Sequence, residues 1–96
     1  MPHSPRTGPV THHVAARLRD LRERAGLSTP ELARRLTASG WPTTQPTVTK
    51  TEMGQRRIDV EELAALALVL GVRPADLLPP APPDAREDGT PKEKEK

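Results

Sequence analysis

The side chains best suited to chemistry lie between residues 45 and 57: Gln45, Thr47, Thr49, Lys50, Arg56 and Arg57. One amide, two hydroxyls and three cations form hydrogen bonds and neutralise anions. No activating base stands beside a nucleophile among them. Such groups match base edges in a major groove and phosphates along its rim. A glutamine can pair with adenine N6 and N7, a lysine can donate to guanine O6 and N7, and a threonine methyl can pack on a thymine methyl. Gln45, Thr49 and Lys50 are therefore candidates for reading bases. Thr44 and Thr47 are better suited to phosphate oxygens, and Arg56, Arg57, Arg34 and Arg35 could grip the backbone.

Charge distribution supports this more than total charge does. The 96-residue chain carries a net charge of only +2. From Arg34 to Arg57, however, five cations stand against the single acid Glu52, and most acids lie elsewhere. A local excess of one sign is the electrostatic footprint that matters for phosphate binding.

Other chemistries find little support. There is no cysteine, so thiolate metal sites and disulfides are excluded. His12 and His13 are adjacent and would diverge on a helix, and His3 adds no acid or cysteine at ligand spacing, so no metal is expected. Glu61 and Glu62 suit the first turn of a helix, where acids complement its dipole. No phosphate loop or nucleophile–base pair appears, so neither a cofactor nor enzymatic activity is expected. No apolar run approaches the roughly 18 residues that span a bilayer, and the N-terminus lacks an apolar signal core. A cytoplasmic protein is the expectation.

Helical elements must position these groups. Val14, Leu18, Leu21 and Ala25 share one face of a first helix over about 12–25, with Thr11 as N-cap and Gly26 as terminator. Ser28 and Glu31 match a capping box opening a second helix over about 29–39, with Leu32, Ala33 and Leu36 inward and Arg34 and Arg35 outward. Gly40-Trp41-Pro42-Thr43 is a loop, with Trp41 a lid over the junction. Thr44 caps a third helix over about 45–53, whose main core residue is Val48. Asp59 and Glu62 form a second capping box before a fourth helix. There Leu63, Leu66, Ala67 and Leu70 repeat at i, i+3, i+4, i+7. A short fifth helix over about 74–78 should bury Leu77 and Leu78. The expected organisation is all-α: a flexible tail over 1–10, a five-helix domain over 11–78, and a disordered Pro-rich and charged tail over 79–96.

The second and third helices and their connection read as a helix-turn-helix. Leu18-Arg19-Asp20-Leu21-Arg22, Gly26-Leu27-Ser28 and Glu31-Leu32-Ala33-Arg34-Arg35-Leu36 are followed by Thr47-Val48-Thr49-Lys50-Thr51-Glu52-Met53-Gly54. Leu63-Ala64-Ala65-Leu66-Ala67, Leu70-Gly71-Val72 and Leu77-Leu78 then follow in order. With these stretches the chain resembles the phage-repressor-like, or Xre, helix-turn-helix regulators over about 14–78. The resemblance implies a lambda-repressor-like fold. It implies base contacts at Gln45, Pro46, Thr49 and Lys50, and an ion pair between Arg22 and Glu52 that braces the third helix.

Three features depart from the family pattern. The connection around Gly40-Trp41-Pro42 is about five residues longer than in the shortest members, as in a subgroup associated with high-GC actinobacteria. Thr29 stands where many members carry a phosphate-contacting glutamine. Thr51 replaces an apolar core residue of the third helix, so looser packing is expected there. The function implied is a sequence-specific double-stranded DNA-binding transcription regulator, acting as a repressor, with a homodimer on a palindromic site. The alternative is a protein-interaction module, such as an antitoxin or adaptor, using the same fold and a C-terminal tail that folds on a protein partner.

Overall fold

Four α-helices and a closing 3-10 turn make up residues 7–80, the part of the chain that the computed structural model describes. They are α1 (Pro9–Arg24), α2 (Thr29–Ala38), α3 (Gln45–Glu52) and α4 (Val60–Leu70), and the turn is Pro74–Leu77. No strand occurs among the described residues. Residues 1–6 and 81–96 lie outside them, and with them most of both expected tails.

Local chemistry sets the helix starts. Ser28 Oγ accepts from the Glu31 amide at 3.2 Å, and Glu31 Oε1 accepts from the Ser28 amide at 2.7 Å, so the capping box of α2 is complete. Thr44 caps α3 through the Thr47 amide. Asp59 Oδ1 accepts from the Glu62 amide at 2.8 Å and caps α4. The reciprocal half of that second box is absent. The Glu62 side chain is buried and turned to Arg56 instead of reaching back to the cap.

The first helix starts earlier than expected. Gly8, not Thr11, is its N-cap residue, and Pro9 occupies the first helical position, where a missing N–H is harmless. The His12 amide donates to Gly8 O at 3.1 Å, closing a turn that includes Val10 and Thr11. Ala25 is exposed at the other end, outside the core assigned to it. The fifth element is a 3-10 turn rather than an α-helix. It is four residues long, held by i to i−3 bonds from Asp76 to Arg73 O and from Leu78 to Ala75 O. Leu77 is fully buried by it, whereas Leu78 is 40% exposed.

The core joins all five elements: Val14 and Leu18 from α1, Leu27 from the first connection, Leu32, Ala33 and Leu36 from α2, Val48 from α3, Leu66 and Ala67 from α4, and Leu77. Leu21, Leu63, Leu70 and Trp41 pack around it, partly buried. Fully burying each leucine is worth about 1.5–3 kcal/mol, a modest total for so small a domain. Long polar ties therefore add to it. Arg17 reaches from α1 to donate to Asp76 O at 2.9 Å, fastening the closing turn. In this frame α3 packs on α2 and α1.

Candidate nucleic-acid interface

Successive residues of an α-helix turn by about 100°. Setting Gln45 at zero puts Thr49, Pro46 and Lys50 within an arc of about 140°, and Val48 and Thr51 on the opposite side. Burial follows this geometry. Val48 and Thr51 are 3% and 2% exposed, Gln45, Pro46 and Lys50 are exposed, and Thr49 is intermediate. The structure thus gathers the four proposed base-contacting residues onto one outward face. The buried side of α3 fixes which face that is.

Several polar contacts prepare this face. Gln45 Nε2 donates to Thr49 Oγ1 at 2.8 Å and to Thr29 Oγ1 at 3.3 Å. Thr29, the first residue of α2, thereby orients the glutamine from the neighbouring helix. The hydroxyls of Thr44 and Thr47 lie 3.1 Å apart beside the N-terminus of α3. Arg34 lines an open groove between α2 and α3 with Pro30, Thr37, Thr43, Thr44 and Gln45. Arg35 is also exposed, but it lies about 100° further round α2 and outside that groove. Arg57 is exposed in the loop after α3.

The connection between α2 and α3 is tied down. Gly40 has φ +102°, a left-handed value that disfavours a side chain, and it lets the Trp41 amide turn back to Leu36 O at 2.9 Å. Trp41 packs against the core as a lid. Thr37 Oγ1 accepts from the Thr43 amide at 3.2 Å and donates to Thr43 O at 3.3 Å, holding the entry to α3.

Two ion pairs tie down the C-terminal end of α3. Arg22 forks onto Glu52, Nε to Oε2 at 2.5 Å and Nη2 to Oε1 at 3.0 Å, while Nη1 donates to Leu27 O at 2.7 Å. Their side chains are 12% and 6% exposed. The hydrogen bond to Glu52 raises the Arg22 pKa against the opposing effect of burial. The second pair joins Arg56, in the loop after α3, to Glu62 of α4. Arg56, expected on the phosphate backbone, is turned inward: its Nη1 donates to Glu62 Oε2 at 2.7 Å and to Thr51 Oγ1 at 2.6 Å. Thr51 also donates to Thr47 O at 2.8 Å. The looser packing expected at Thr51 is therefore replaced by a satisfied buried hydroxyl. A buried hydroxyl needs partners, and that requirement was the signal in the sequence that a polar group would meet Thr51.

Beyond α3 the chain turns at Gly54, φ +71°, and the Gln55 amide closes onto Lys50 O at 3.0 Å. A Cβ at Gly54 would come within 2.9 Å of His12 Cδ2, so the end of α3 sits close against α1. His12 is thus a packing residue, and its Nε2 lies 3.0 Å from Thr7 Oγ1. Among the described residues, no group of three or more His, Cys, Asp or Glu side chains could hold a metal ion, and no helix is long and apolar enough to cross a membrane.

A family described as "Helix-turn-helix domain" matches residues 13–80. No curated protein matches the sequence. The fold is similar to the restriction-modification controller protein C.AhdI from Aeromonas hydrophila, with 29% identity and a TM-score of 0.63 over 71% of this chain and 96% of that one. It is similar to the DNA-binding domain of BldD, with 30% identity and a TM-score of 0.65 over 77% and 100% of the two chains. It also resembles part of hydroxypropylphosphonic acid epoxidase from S. wedmorenis, with 30% identity and a TM-score of 0.66, over 76% of this chain but only 36% of the enzyme. The chain belongs to the helix-turn-helix family, among its phage-repressor-like (Xre) regulators.

Proposed function

We propose that the protein is a sequence-specific double-stranded DNA-binding transcription regulator that reads the major groove with α3 and acts as a repressor. The observation that carries this reading is the outward arc of Gln45, Pro46, Thr49 and Lys50, backed by a buried and doubly braced face. Gln45 and Lys50 supply hydrogen bonds to base edges. The apolar surface of Pro46 and the methyl of Thr49 suit thymine. Arg34 beside the groove, Arg35 and Arg57 supply charge for phosphates, and the hydroxyls of Thr44 and Thr47 supply polar contacts. Glu52 and Glu62 are each held by an arginine, so neither acid offsets that surface. Repression needs only occupancy of the site, with no further surface to recruit other proteins.

One such domain covers too little DNA for useful specificity, so two copies on a two-fold site complete the proposal. The outward face of α4 suits the contact between them. Val60 and Leu68 are 77% and 72% exposed, and Ala64 lies exposed between them at i+4 spacing. Apolar side chains at such spacing on a helix ordinarily face packing rather than solvent, and here the exposed Glu61 lies beside them.

Salt dependence of binding tests the class. With about three phosphate contacts per copy, log K against log salt should fall with a slope of roughly −5. Salt-insensitive or absent duplex binding would favour the protein-interaction module instead.

A further inference from the structure

We propose that Arg56, together with Thr51 and Glu62, is a positioning group that fixes how α3 is presented to DNA, and that Arg56 does not itself contact DNA. This rests on the DNA-binding reading above. The chain of contacts is continuous. Thr51 Oγ1 donates to Thr47 O within α3, Arg56 Nη1 donates to Thr51 Oγ1 and Glu62 Oε2, and the Glu62 amide is held by the Asp59 cap of α4. Thr51 and Glu62 are 2% and 4% exposed, so neither reaches solvent, let alone a duplex.

The cluster is a poor source of stability. A buried ion pair is often matched or bettered by apolar residues of similar volume. Here Glu62 Oε1 is also buried without a hydrogen-bond partner. What the cluster does supply is direction. Arg22 holds Glu52 from α1, and Arg56 holds Thr51 from the α4 side. Thr51 and Glu52 lie about 100° apart round α3, so the two ties oppose rolling of the helix in either sense. A roll of 10–20° would carry side-chain tips about 1–2 Å at a helix radius of roughly 5–6 Å, enough to misplace Gln45 and Lys50 relative to base edges.

The test uses the full chain, a duplex selected from a random library, and a random-sequence duplex, each titrated over a salt series. Removing Arg56 alone would strand a buried carboxylate, so the variants are the double Arg56→Met/Glu62→Met and the single Thr51→Val. Thr51→Val keeps every cation and holds the fold if the double does not. Both should keep the wild-type salt slope on random duplex. Both should lose at least about fivefold in the ratio of selected to random affinity, the low end of what one good base contact discriminates. An unchanged ratio in the variants would overturn the positioning role. So would a slope lowered by about one unit with the ratio intact in the double variant, which would make Arg56 a phosphate contact. A wild-type protein with no preference between the duplexes would instead overturn the DNA reading itself, and this inference with it.

Discussion

Gln45 stands at the first helical position of α3, exposed, with its amide held by Thr49 and Thr29. Its removal should therefore be felt by one sequence and not by DNA in general. Gln45→Ala is expected to cost about 1–3 kcal/mol on the selected duplex and little on random duplex, measured by equilibrium titration. Equal losses on both would remove it from base reading. Arg57→Ala should weaken both duplexes alike and flatten the salt slope by about one unit, and an unaltered slope would exclude a phosphate contact. The contrast between Arg57 and its neighbour shows where residue-level reading stops. Arg56 and Arg57 are adjacent and chemically identical, and only the packing of the loop against α4 turns one of them inward. Glu62 concealed that partnership, because its position three residues after Asp59 suited a capping box equally well.

At the scale of the helices, the braces at the C-terminal end of α3 matter most. Glu52→Ala would leave the nearly buried Arg22 guanidinium without its two-pronged partner. Stranding one member of a buried pair costs about 3–5 kcal/mol. The thermal midpoint should fall well beyond the effect of a surface substitution, and a midpoint unchanged from wild type would mean the brace adds nothing. The start of α2 should respond to acid. The Glu31 carboxyl is held below its ordinary pKa, chiefly by the Ser28 backbone N–H. A carboxylate depressed in the folded state adds stability above its unfolded pKa, and that stability is lost as pH falls through the folded value. Melting curves should thus drop more steeply below about pH 4.3 for wild type than for Glu31→Gln, which keeps an acceptor but does not titrate. Parallel curves would contradict the assignment.

The helix starts at residues 29, 45 and 60 were legible because each follows a capping side chain: Ser28, Thr44 and Asp59. The start of α1 was not, since Gly8 offers no side-chain cap and Pro9 reads equally as tail or as first turn. The closing turn was misjudged for a related reason. Burying Leu77 takes only one turn, and the prolines at 79 and 80 leave no room for another.

At the scale of the whole molecule, the described residues present the outward arc of α3 and, on α4, the exposed apolar side chains Val60, Ala64 and Leu68. The outward arc of α3 could be laid out from helical periodicity once its buried side was placed by Val48. The outer face of α4 could not be interpreted the same way, because an apolar helix looks alike whether its last face meets its own core or a second copy. Val60 and Leu68 are exposed among the described residues, so the described core does not meet that face. If two copies meet there, their α3 helices should address equivalent half-sites on one duplex. Selection from a library of random duplexes with the purified protein tests this most directly. The expected product is an enriched consensus with two-fold symmetry, its half-sites about one helical turn, or a multiple of it, apart. No enrichment over the starting library would contradict the claim that α3 reads DNA.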